Sequence, residues 1–379
     1  MTRKLLIAGA ALALISSCNN MENPFLTESK APFGAPEFDK IKNEHYLPAF
    51  EAGIAEAKAE IDAIVANQEE PTFENTIEAM EYAGETLNRV ANVFYNLMEA
   101  NTNDEMQQIA EQISPMLNEY SMYVSLNADL FAKVKSVYEK KDELGLEKDQ
   151  LKLLEDNYKS FVRGGANLSD EDKELYSKWS EELSLASLQF SKNVLAATNA
   201  YTLHITDSAD LAGLPEFVKT MAAETASEKG LEGWAFTLDA PSYSPFLKYS
   251  EVRNLRKDMW TAFNTRAIGG EFDNTDVVKK IVDLRIRIAN ILGYETYADY
   301  ALEERMAKDK ATVNGFIKDL LEPSMEFAKK DVADVYAFAK KNGFEDSQLM
   351  PWDFSYWSEK YQQAEYSLSA EELKPYFQL

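Results

Sequence analysis

One cysteine and two histidines in 379 residues remove several classes of chemistry at once. The single thiol, Cys18, has no partner for an intramolecular disulfide. Only His45 and His204 are available as imidazoles, and no His-Glu-x-x-His exists, because the residue four after His45 is Ala49. No Gly-x-Ser-x-Gly turn offers a serine nucleophile. Glycine is sparse, and the pair Gly164-Gly165 leads into Ala166 without the spacing of a phosphate loop. Basic side chains are outnumbered 39 to 64, leaving a net charge of −25 that repels phosphate backbones and excludes nucleic acid as a partner. No apolar run is long enough to span a bilayer; the most apolar, residues 5–15, is too short.

That run has another meaning. Arg3 and Lys4 precede it and Ile15-Ser16-Ser17-Cys18 follows, an order that resembles the bacterial lipobox. The expectation is a lipoprotein signal peptide over 1–17, acylation of Cys18, and a polar tether over 18–30. It implies an exported protein held at the cell envelope by its acyl chains. An ordinary secretory signal and a fortuitous apolar start are the alternative readings of the same residues.

Residues 31–379 carry the hydrophobic content of a folded chain, 45% overall with 12% aromatic, which excludes disorder. Helical grammar dominates. Thr72 is placed to cap a helix over 72–98, with Glu74 in its first turn and Phe73, Ile77, Met80, Gly84, Leu87, Ala91, Phe94 and Met98 forming one stripe. Over 274–293, Asn274 or Thr275 is the cap, Val277, Ile281, Leu284, Ile288 and Ile291 the stripe, and Gly293 the stop. Further helices are expected near 46–66, 104–139, 146–163, 169–198, 249–267 and 310–342. Two alternating stretches break the pattern: Tyr201, Leu203, Ile205 and Trp234, Phe236, Leu238 read as short strands around a helix near 214–227, with Pro241 and Pro245 marking a loop. The fold expected is mainly α with a small β-sheet inserted at about 200–240.

Chemistry is harder to place. Acidic residues are too numerous to nominate a pair, and both histidines read as structural or surface groups. The aromatic cluster Trp352, Phe354, Tyr356, Trp357, Tyr361 and Tyr366 fits packing between helices better than a substrate wall.

Six segments in order resemble the thimet-oligopeptidase-like zinc metallopeptidases, among them the bacterial peptidyl-dipeptidases (dipeptidyl carboxypeptidases) and oligopeptidase A. They are Phe38-Asp39-Lys40-Ile41-Lys42-Asn43-Glu44-His45-Tyr46-Leu47-Pro48-Ala49-Phe50, Pro71-Thr72-Phe73-Glu74-Asn75-Thr76-Ile77, Arg163-Gly164-Gly165-Ala166-Asn167-Leu168 and Leu211-Ala212-Gly213-Leu214-Pro215-Glu216. Leu292-Gly293-Tyr294 with Tyr297-Ala298-Asp299-Tyr300, and Pro375-Tyr376-Phe377-Gln378-Leu379, complete the set. The resemblance implies a helical, two-lobed peptidase with a channel for short peptides, a zinc ion held by His-Glu-x-x-His, and release of C-terminal dipeptides.

In the family that motif follows the equivalent of 375–379, so the resemblance places the catalytic and metal residues beyond Leu379 and none within the chain. The expectation is the N-terminal portion of an envelope-anchored zinc oligopeptidase, inactive by itself and needing a missing C-terminal catalytic part. The alternative is a non-catalytic helical lipoprotein that binds peptides or a partner protein.

Overall fold

A computed structural model describes residues 23–367 and 376–377. The signal-peptide expectation, Cys18 and most of the 375–379 segment lie outside the described residues. The chain divides into two compact units, the first ending at Phe161 and the second starting at Val162.

The first unit is built on α1 (Tyr46–Ala66), whose buried side chains Phe50, Ile54, Ala57, Ile61 and Ile64 recur at helical spacing. The stripe expected as one helix over 72–98 is interrupted. A π-helical turn (Phe73–Glu78) leads through α2 (Ala79–Glu81) to Gly84, and only then does α3 (Glu85–Ala100) begin. Gly84 takes φ +77°, and its N–H donates to Glu60 Oε2 of α1 at 2.7 Å. Apolar spacing survives the break, with Phe73, Ile77, Leu87 and Phe94 all buried, so periodicity alone reads straight through it. The Thr72 cap forms as expected: its hydroxyl accepts from Asn75 N–H at 3.1 Å, and Asn75 Oδ1 accepts from Thr72 N–H at 2.8 Å.

Gly53 sets how closely α1 and α3 meet. A Cβ there would lie 2.8 Å from the Leu87 backbone nitrogen. Phe94 packs edge-on against Tyr46 and Phe50, centroids 5.0 and 5.5 Å away. The expected 104–139 helix is two, α4 (Asp104–Ser125) and α5 (Ala128–Glu139), because Asn127 turns the chain and caps α5 through Leu130 N–H at 2.9 Å. Next comes α6 (Lys148–Arg163), whose last two residues belong to the second unit.

In the second unit, α7 (Asp170–Ala200) packs along α11 (Thr275–Ile291). Between them in sequence comes the expected sheet: β1 (Leu203–Ile205) runs antiparallel to β2 (Trp234–Phe236), pairing Leu203 with Phe236 and Ile205 with Trp234. Ile205, Phe236 and Leu238 enter one core with Leu214 and Val218, near or on α8 (Glu216–Glu228), and with Phe246 and Met259. The mainly helical fold with a small sheet therefore holds.

Two local expectations do not. Residues 240–249 form α9 (Ala240–Tyr249) instead of a loop. Pro241 sits in its first turn, where no intrahelical N–H bond is lost, and burial of Ser242, Phe246 and Leu247 carries the chain past Pro245. The helix expected over 249–267 accordingly starts later, as α10 (Arg253–Asn264). Asn274 does not cap α11: its side chain turns to Phe190 O and Asn193, while Asp273 Oδ1 accepts from Thr275 N–H and Gly269 N–H at 2.9 Å each. Gly293, at φ +89°, ends α11 as expected.

The short α12 (Tyr297–Leu302), the long α13 (Lys310–Lys341) and α14 (Pro351–Tyr366) follow. The N-terminal part of α13 holds Phe316, Ile317, Leu320, Leu321 and Phe327 more than half exposed.

Candidate functional site

The densest polar constellation lies in the second unit, where α10 meets α14. Arg253 and Arg256 are three residues apart, so both guanidinium groups leave one face of α10. Asp353 takes both. Its Oδ1 accepts from Arg253 Nε at 2.8 Å and Arg256 Nη2 at 3.1 Å, and its Oδ2 accepts from Arg253 Nη2 at 2.7 Å. Arg256 also donates to Trp352 O and Ser250 O, at 3.0 and 2.8 Å, and lies 4.2 Å from the Tyr356 ring centroid. Asp346 adds a second carboxylate to Arg253, 2.6 Å from its Nη1. Burial works against ionising Asp353, but hydrogen bonds from Arg253, the Met350 N–H and Arg256 outweigh it and hold its carboxyl below the usual range. Burial lowers the pKa of Arg256 from its ordinary value.

The aromatic cluster surrounds this ion group as packing. Trp352 meets Trp260 at 5.6 Å, Trp357 meets Phe344 at 6.0 Å and Tyr356 at 5.1 Å, and Tyr361 meets Phe338 at 5.5 Å. Phe354 and Tyr366 remain exposed. The charged groups are paired with one another, so the arrangement locks α14 to α10 rather than presenting a free base or nucleophile.

A second constellation joins segments far apart in the chain. Arg163 Nη2 donates to Tyr300 O at 2.8 Å, its Nη1 reaches Tyr294 Oη at 3.2 Å and Glu303, and its guanidinium lies over the Tyr300 ring at 4.4 Å. Burial first, then the hydrogen bond to Glu303, pushes Tyr294 up to about 12. Burial likewise pushes nearby Tyr176 up to about 12. Three of the segments singled out in the sequence, 163–168, 292–294 and 297–300, are thus joined through Arg163, Tyr294 and Tyr300.

The histidines have structural surroundings. His45 is buried, and its Nδ1 accepts from Lys42 N–H at 3.1 Å. His204 is exposed on β1, a ring nitrogen 2.6 Å from Glu232 O. Among the described residues no group of three or more His, Cys, Asp or Glu side chains is placed to hold a metal ion. The described residues do not fit a zinc site. The sequence reading missed Arg253, Arg256 and Asp353 as a group; the only signal was an aspartate at the third position of a helix opened by Pro351, which has meaning only once a partner is known.

Residues 246–379, which contain the whole ion group, match the model of Peptidase family M3. Over 361 residues the chain is 36% identical to the dipeptidyl carboxypeptidase of Escherichia coli (strain K12), covering 94% of this chain and 53% of that protein. The chain is thus similar to M3 peptidases over its last third and to a dipeptidyl carboxypeptidase over most of its length. Oligopeptidase A of Salmonella typhimurium is 34% identical over 362 residues, with 94% of this chain and 52% of that protein covered. Saccharolysin of Saccharomyces cerevisiae is more distant, at 26% over 322 residues, 82% of this chain and 44% of that protein. The chain spans about half the length of the curated relatives it matches.

Proposed function

We propose that this chain is the non-catalytic N-terminal half of an envelope-anchored, zinc-dependent oligopeptidase that hydrolyses short peptides and releases C-terminal dipeptides. One observation carries the reading: 36% identity to a dipeptidyl carboxypeptidase runs through 94% of the chain and so through both compact units. The zinc-binding and catalytic residues then belong to the half of such relatives that this chain does not span. Cys18 supplies the anchor.

The surface of α13 supports the need for a second half. Phe316, Leu320 and Phe327 follow helical spacing along one face and are 64%, 58% and 71% exposed. Apolar patches of this kind mark contact surfaces. The residues of this half contribute walls, through the ion-locked α10–α14 pair and the Arg163 junction, and contribute no reacting group.

The test is reconstitution. The 379-residue chain is expressed alone and fused to the remaining half of a relative, and release of dipeptides from short peptides is followed with and without a chelator. The expected result is no activity alone and chelator-sensitive activity in the fusion. A folded fusion without chelator-sensitive cleavage overturns the reading.

A further inference from the structure

A pocket of about 270 Å³ opens in the second unit between the 211–216 turn, the end of α9 and the last turns of α14. That size suits a small ligand rather than an extended peptide. Its wall is set by Gly213, which has φ +82° and on which a Cβ would fall 2.3 Å from Tyr249 O and 2.6 Å from Glu251 Cγ. Only glycine lets the turn lie flush against residues 249–251, where Glu251 N–H donates to Ala212 O at 2.8 Å.

Glu359 is the chemically unusual group in that pocket. It is 6% exposed. Its Oε1 accepts two long hydrogen bonds, from Gln363 Nε2 at 3.2 Å and Tyr249 Oη at 3.4 Å. The nearest cation to Oε2 is Lys248 Nζ at 3.7 Å, beyond hydrogen-bond reach. A carboxylate withdrawn from water is normally held by charge-assisted N–H donors at about 2.7–2.9 Å. Nothing of that kind holds Glu359. Around it, two ammonium groups stand half in solvent: Lys248, 46% exposed, and Lys360, 39% exposed and 3.5 Å from Glu251.

We propose that this pocket binds a small zwitterion, a free α-amino acid or dipeptide. Its ammonium group completes the coordination of Glu359 Oε2, and its carboxylate lies between Lys248 and Lys360. The arrangement asks for both charges on one small molecule: an anion alone would face buried Glu359, and a cation alone would face two lysines. The inference rests on burial, distance and charge at this pocket and is independent of the peptidase reading, since no bond is made or broken here.

The experiment is a ligand-observed NMR titration of the whole chain with L-alanine, L-alanyl-L-alanine, N-acetyl-L-alanyl-L-alanine and L-alanyl-L-alanine amide. Saturable binding of one free zwitterion is expected, and whichever of alanine and the dipeptide binds more tightly identifies the size class. Removing the ammonium by acetylation, or the carboxylate by amidation, is expected to weaken binding roughly tenfold, the effect of losing one hydrogen bond to a charged group. Glu359→Gln is expected to weaken the free zwitterion by a similar factor, with its thermal midpoint recorded to confirm folding. Absence of saturable binding by either zwitterion overturns the proposal. So does equal binding of the acetylated dipeptide to the wild-type chain, a comparison that needs no variant to fold.

Discussion

Arg256 and Asp353 lie 97 residues apart in sequence and 3.1 Å apart in space, at 2% and 0% exposure. Removing one partner of such a pair strands a buried charge, which costs far more than the pair itself contributes. Asp353→Leu, which leaves the buried Arg256 guanidinium without its carboxylate, is expected to destabilise the second unit by about 3–5 kcal/mol, read from urea denaturation of the whole chain. An unchanged midpoint would show that the ion group is dispensable.

The same site predicts a pH dependence. Asp353 has its carboxyl held below the ordinary range when folded. Its contribution is therefore fully present above the unfolded pKa of about 3.9 and is lost as pH falls through the lower folded value. Stability measured from pH 6 downward is expected to fall more steeply below about pH 4 in the wild-type chain than in Asp353→Asn. Parallel curves would contradict the assignment.

Glycines of opposite consequence test the helix packing. Gly53→Ala forces a Cβ to 2.8 Å from the Leu87 backbone, a clash that flexible side chains cannot relieve. A loss of about 1–3 kcal/mol is expected. Gly315, within α13, has nothing within 4 Å of its Cβ position. Gly315→Ala is expected to gain about 0.5–1 kcal/mol. Thermal unfolding of both variants should move in opposite directions.

Arg163 serves three partners that a lysine cannot reach together. Arg163→Lys is expected to cost about 1.5–3 kcal/mol, the range for hydrogen bonds made by charged groups. Hydrogen exchange of residues 292–303 should rise in that variant; protection equal to wild type would leave Arg163 without a structural role.

Cys18→Ala tests the anchor. The expected outcome is transfer of the protein from the membrane fraction to the soluble one, followed by immunoblot of fractionated cells. An unchanged distribution would argue against acylation at that residue.

Much of the fold could be read before any coordinates, for local reasons. Periodicity alone located α1, α7, α11 and α13 and the two strands, because apolar spacing and strand alternation are properties of short windows. Caps were legible where the side chain bonds to its own first turn, as at Thr72. They failed where a neighbour competed: Asn274 was drawn away by Phe190 O and Asn193, and Asp273 took its place. The break at Gly84 was hidden because the apolar stripe runs on through it, and the partner its N–H finds there is Glu60, 24 residues earlier.

The sequence by itself determined the helical character, the small sheet, the scarcity of ligands for a metal and the likeness to a peptidase family, since each is written in composition, spacing or motif order. Tertiary structure alone decided which polar residues share a site. The Arg253–Arg256–Asp353 group, the Arg163 junction and the loosely held Glu359 each join residues about 100 or more positions apart. No local window encodes such meetings, because burial and charge pairing are settled only when distant segments pack.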